Sequence, residues 1–144
     1  MKAKEIMVTN IATIEPDKNI VDAAKIMKGR RIGSLVVVKG SKPIGIITER
    51  DIVRKLIAEG KDAKNVKVKD LMSYPLITAS PDDDVEVLAK RMSKNEIRRL
   101  PVVDNDGRLV GMITATDIAK SVVKDISDYD LVMRAILRYH KEGY

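Results

Sequence analysis

Two threonine–aspartate pairs could hold a polar ligand: Thr48-Glu49-Arg50-Asp51 and Thr114-Ala115-Thr116-Asp117. Each follows a glycine and two apolar residues, Gly45-Ile46-Ile47 and Gly111-Met112-Ile113. That order reads as a strand end, a threonine cap and a new helix carrying an aspartate in its first turn. A hydroxyl, a carboxylate and free backbone N–H groups would meet at one point. Such a point suits a sugar diol and a phosphate. The same spacing is also a capping box, in which threonine and acid satisfy each other without any ligand. Its duplication in the same context favours the binding reading.

Little else in the chain offers chemistry. Cysteine is absent and the single histidine is His140, so thiolate catalysis, cysteine metal sites and histidine pairs are excluded. With no nucleophile–base pair or metal constellation visible, an enzyme is not expected. Asp82-Asp83-Asp84 stands at a helix start, where capping and the helix dipole explain it better than a metal does. The seven methionines fall mostly on expected core faces.

A formal charge of +6 invites a nucleic-acid reading, yet there is no Phe or Trp and there are only four Tyr. Stacking platforms are therefore scarce, and the charge is spread along the chain. A solvated Lys/Glu-rich surface is the simpler account, with a basic nucleic-acid-binding module kept as an alternative. No apolar run approaches the roughly 20 residues of a membrane span, and no signal-like segment opens the chain. A cytoplasmic protein without membrane attachment is the expectation.

The elements that position the two pairs come as a repeat. Shifted by 65, Ile6–Val38 lies on Leu71–Val103, matching Met7/Met72, Pro16/Pro81, Asp17/Asp82, Met27/Met92 and Leu35/Leu100. An extra residue in the Asp104–Arg108 turn makes the shift 66 for Gly45/Gly111, Thr48/Thr114 and Asp51/Asp117. Ile11–Ile14 reads as a short strand. Asn19 caps a helix with Ile20, Ala23, Ala24 and Met27 on one face, and Gly29 ends it. Leu35–Val38 reads as a strand buried on both faces and Ile44–Ile47 as its hairpin partner. The helix opened by Thr48 turns Ile52, Val53, Leu56 and Ile57 inward. In the second repeat Asp84 takes the place of the Asn19 cap. The fold class is α/β (α+β), with two β-α-β-β-α repeats at 1–60 and 68–124 and a linker at 61–67. The two repeats are expected to pack about a pseudo-two-fold axis, with an amphipathic helix at 125–144.

These residues resemble a known module. Pro-Asp before a helix, Ile-Gly-Ser-Leu-Val-Val-Val and Gly-Ile-Ile-Thr-Glu-Arg-Asp-Ile look like a cystathionine-β-synthase (CBS) domain. Ile-Arg-Arg-Leu-Pro-Val-Val-Asp and Gly-Met-Ile-Thr-Ala-Thr-Asp-Ile look like a second. The resemblance covers roughly residues 4–124 and implies a tandem pair, often called a Bateman module. It implies a stand-alone regulatory protein sensing AMP, ADP, ATP or S-adenosylmethionine and acting on a separate, unidentified partner. In the family the aspartate accepts from the ribose hydroxyls, a position matched by Asp51 and Asp117 with Thr48 and Thr114 beside them.

The family's sites take opposite walls from the two repeats. One cleft should combine Ile46, Thr48 and Asp51 with Lys69, Ile77, Ile97, Arg98 and Arg99. The other should combine Met112, Thr114 and Asp117 with Lys4, Thr9, Ala12, Ile32, Gly33 and Ser34. Arg98-Arg99 against Gly33-Ser34 makes the clefts unequal, so the Asp51 cleft is expected to prefer the more phosphorylated ligand. Apolar residues on outward helix faces point to a parallel or antiparallel homodimer. A purely structural dimerisation domain is the remaining alternative.

Overall fold

The computed structural model describes residues 1–122; the helix expected over 125–144 lies outside the described residues. The chain is a mixed α/β protein built from two β-α-β-β-α repeats and divides into two compact units. The first unit comprises Asn10–Ile77 together with Asp104–Leu109. The second comprises, among the described residues, Met1–Thr9, Thr78–Val103 and residues 110–122. Each unit therefore takes its leading segment from the other repeat.

In the first unit, β1 (Thr13–Ile14) runs parallel to β2 (Ser34–Lys39), which pairs antiparallel with β3 (Lys42–Thr48). Leu35, Val36 and Val37 are all buried, as their unbroken β-branched run requires. Between β1 and β2 lies α2 (Ile20–Arg30), capped by Asn19, whose side chain accepts from Val21 N–H at 2.8 Å. Gly29 does not end this helix: Arg31, left-handed at φ 54°, does. Met27 and Lys28 carbonyls accept from its N–H, so the termination is made by backbone geometry.

Helix α3 (Glu49–Ile52) follows β3 and continues as a π turn over Val53–Ile57. The π turn changes the spacing of the apolar stripe. Leu56 is buried and Ile52 half-buried. Val53 and Ile57, expected inward, are 58% and 64% exposed. After a 3₁₀ turn (Ala63–Asn65) comes α4 (Val68–Leu71). Val68 and Leu71 complete the core around Ile14, Ile20, Met27, Leu35 and Ile47. Burial of a leucine or isoleucine of this kind is worth about 1.5–3 kcal/mol, so a helix of only four residues docks by its side chains.

The second unit repeats the plan. Helix α5 (Val85–Asn95) buries Val85, Leu88 and Met92, and ends at the left-handed Glu96. Strands β4 (Arg99–Val103) and β5 (Leu109–Thr114) pair with each other, and Ala79 bridges Val102 in the place of β1. Asp84 makes no capping bond; it pairs instead with Lys2 Nζ at 3.2 Å. The leading helix α1 (Ala3–Ile6) belongs to this unit. Its Ala3 and Lys4 N–H groups donate to Asp83 and Pro81 carbonyls at 2.9 and 3.0 Å. The matching bonds in the first unit are Val68 to Lys18 and Lys69 to Pro16, at 2.9 and 3.0 Å. Helix α6 (Ala115–Val122) closes the described chain.

Candidate functional site

Both threonine–aspartate pairs sit at the same structural point, where an edge strand turns into a helix. Thr48 is extended and pairs with Ser34 across the ladder. Its Oγ1 accepts from Asp51 N–H at 3.1 Å. Asp51 Oδ2 in return accepts from Thr48 N–H at 3.0 Å and from Thr48 Oγ1–H at 2.9 Å. Thr114 and Asp117 make the same three bonds at 3.2, 2.9 and 2.9 Å. The capping box is thus complete in both copies, and it leaves Oδ1 of each aspartate as the oxygen facing outward from the box.

Backbone N–H groups are less free than the spacing suggested. Thr48 and Asp51 N–H are used within the box, and Glu49 N–H donates to Gly33 O at 3.0 Å. Ala115 N–H likewise donates to Arg98 O at 2.8 Å. Any anion near these helix starts therefore depends more on side-chain cations than on amides.

A lysine missed in the sequence completes the Asp51 cluster. Lys55 Nζ lies 3.0 Å from Asp51 Oδ1 and donates to Leu71 O at 2.9 Å. The i,i+4 spacing of acid and lysine on one helix was the available signal. Asp51 is the one buried polar or charged residue among the described residues, at 9% exposure, and burial of a carboxylate demands such partners.

Ile46, Thr48, Asp51, Lys69 and Ile77 lie in one unit, together with Ala12, Ile32, Gly33 and Ser34. Met112, Thr114, Asp117, Lys4 and Thr9 lie in the other, together with Ile97, Arg98 and Arg99. Inside their own units, Gly33-Ser34 adjoin Thr48-Glu49, and Arg98-Arg99 adjoin Thr114-Ala115. Lys69 is already engaged, with Nζ 2.9 Å from Asp17 Oδ1. That hydrogen bond and charge hold the Asp17 carboxyl below its ordinary pKa and raise the Lys69 ammonium above its own. Lys4 pairs with Asp82 at 3.0 Å in the matching place. Asp82, Asp83 and Asp84 turn to three separate partners, Lys4, Arg91 and Lys2.

Tyr74 also escaped the sequence reading. It is the repeat counterpart of Thr9, is 70% exposed, and follows Ser73, which bridges Ile46 in both directions. Applying the shift of 65 to Thr9 would have found it.

Known proteins are similar to this chain in sequence and fold. The family model described as CBS domain matches residues 3–58 and 68–124. An uncharacterized protein of Methanopyrus kandleri is 42% identical over 115 residues, which is 79% of this chain and 59% of that protein. The chain thus spans less than two thirds of that relative's length. The crystal structure of a CBS domain pair in complex with 5′-methylthioadenosine and S-adenosyl-L-methionine is 34% identical, with TM-score 0.75 over 84% of this chain and 94% of that one. A hexameric CBS-CP12 protein from bloom-forming cyanobacteria is 32% identical, with TM-score 0.74 over 94% and 77%. No helix among the described residues is long and apolar enough to cross a membrane.

Proposed function

The chain belongs to the CBS domain family, and on that premise we propose that it is a regulatory module sensing an adenosyl ligand: AMP, ADP, ATP or S-adenosylmethionine. CBS domains are regulatory and non-catalytic, and the matched residues account for most of the chain. The observation that carries the reading is the duplicated capping box, which saturates Oδ2 of Asp51 and Asp117 and aims Oδ1 of each away from the box. A carboxylate held in this way accepts sugar hydroxyls by charge-assisted hydrogen bonds without reorganising. The similar pair that binds 5′-methylthioadenosine and S-adenosyl-L-methionine supports an adenosyl ligand here.

In this proposal Thr48 and Asp51, and Thr114 and Asp117, hold ribose. Ile46, Ile77 and Lys69 accompany the first pair, with Ala12, Ile32, Gly33 and Ser34 in the same unit. Met112, Lys4 and Thr9 accompany the second, with Ile97, Arg98 and Arg99 in the same unit. Two copies associate as a cytoplasmic homodimer and act on a separate protein when the ligand binds. The exposed Val53 and Ile57 in the π turn after α3 support the dimer.

Calorimetric titration of the four ligands into wild type, Asp51→Ala and Asp117→Ala tests the reading. Each substitution should remove one set of sites and leave the other. Arg98→Ala with Arg99→Ala should weaken ATP more than S-adenosylmethionine. A wild-type protein that binds none of the four at millimolar concentration would sink the proposal.

A further inference from the structure

Asp51 and Asp117 share two hydrogen bonds on Oδ2 and then part company. On Asp51, Oδ1 is paired with Lys55 at 3.0 Å. The residue matching Lys55 in the second repeat is Ser121, whose hydroxyl turns back to Ile118 O at 2.7 Å. Lys55 is also anchored, because Leu71 O at the end of α4 accepts from it at 2.9 Å.

A carboxylate offers about four acceptor positions and an ammonium three donors. In both boxes Oδ2 is filled by the threonine N–H and O–H. Oδ1 of Asp117, with no lysine beside it among the described residues, can accept both hydroxyls of a cis-diol. Oδ1 of Asp51 has one position left after Lys55. Lys55 in turn has used two of its three N–H groups and keeps one for an acceptor.

We propose that Lys55 is a specificity-determining residue of the Asp51 site. With Asp51 it forms a paired-charge element that reads one sugar hydroxyl together with an anionic group of the ligand, such as a phosphoryl oxygen. The Asp117 site reads the uncharged diol alone. This rests on the ribose-holding role given to the two aspartates above, and adds a phosphate-selecting cation from the same helix as Asp51.

The test uses the full chain in an Asp117→Ala background, which isolates the Asp51 site, titrated calorimetrically with AMP and with adenosine. Lys55→Ser, which copies Ser121, should lower the preference for AMP over adenosine about tenfold, the size of one charge-assisted hydrogen bond. Lys55→Arg should retain the preference. Lys55→Gln, which can still donate to Leu71 O, should lose it, which separates charge from packing. A ratio unchanged within about twofold in Lys55→Ser, with binding still abolished by Asp51→Ala, overturns the role of Lys55 and leaves the ribose reading intact. Binding of both probes that ignores Asp51→Ala overturns the ribose reading and the inference with it.

Discussion

Met72 occupies the space that a side chain at Gly45 would need: a Cβ there would lie 2.6 Å from Met72 Sδ and 3.1 Å from Ser73 O. Gly111 and Met7 stand in the same relation, at 2.5 Å. The glycine that opens each ligand motif is thus explained by the close approach of the segment after α1 or α4. Gly45→Ala should destabilise the protein by about 1–3 kcal/mol. Adding Met72→Ala should relieve part of that loss, because the flexible thioether is the nearest obstacle. Denaturant unfolding of both single variants and the double variant measures the coupling; strictly additive losses would contradict the packing account.

Leu71 carries the same relation into the core. It is 1% exposed and packs with residues of the first repeat, although it belongs by sequence to the second. Leu71→Ala should cost about 2–5 kcal/mol. Hydrogen exchange should speed up in α2 and β2 before it does so in α5. The reverse order would show that the exchanged helix does not hold the first unit together.

Asp17 and Lys69 make a pH-dependent pair on the surface. The Asp17 pKa is depressed, so its contribution to stability is present above the unfolded value of about 4 and is lost as pH falls through the folded value. The Lys69 pKa is raised, so its contribution is present below about 10.4 and is lost as pH rises through the folded value. In Lys69→Met, an NMR titration should return the Asp17 carboxyl to its ordinary range. Asp17→Asn frees Lys69 and should tighten ATP binding severalfold, more at low salt. Unchanged ATP affinity would remove Lys69 from the phosphate site.

The two long helices begin differently despite equivalent sequence positions. Asn19 accepts from Val21 N–H and donates to the Ala63 and Lys64 carbonyls, whereas Asp84 makes no cap bond. Asn19→Ala should therefore cost at least about 1 kcal/mol. Asp84→Ala should cost less, near the range of an exposed ion pair. Equal losses in thermal unfolding would argue that Asp84 caps α5 after all.

Much of this protein was legible from local rules. The β-branched run at Leu35–Val38, the Asn19 cap and the Thr48/Asp51 and Thr114/Asp117 boxes each involve residues within a few positions of one another. Their spacing therefore predicts their bonds. Helix endings were less legible: Gly29 is the conventional stop signal, but the backbone places the left-handed turn at Arg31 and Glu96. The π turn after α3 has no residue signature, and it alters which of Ile52, Val53, Leu56 and Ile57 are buried.

The sequence by itself determined the duplication, the strand-to-helix corners and the carboxylates placed there, because these depend on local periodicity and capping. Only the tertiary structure decided which segment completes which unit, and therefore that Met72 rather than Met7 lies against Gly45. It also decided that Lys55 reaches both Asp51 and the Leu71 carbonyl, and that Asp17 already holds Lys69. Those contacts join residues far apart in the chain. Two similar repeats offer two similar docking surfaces for each leading helix, and the choice between them is made by chain connection and packing, which residue spacing does not encode.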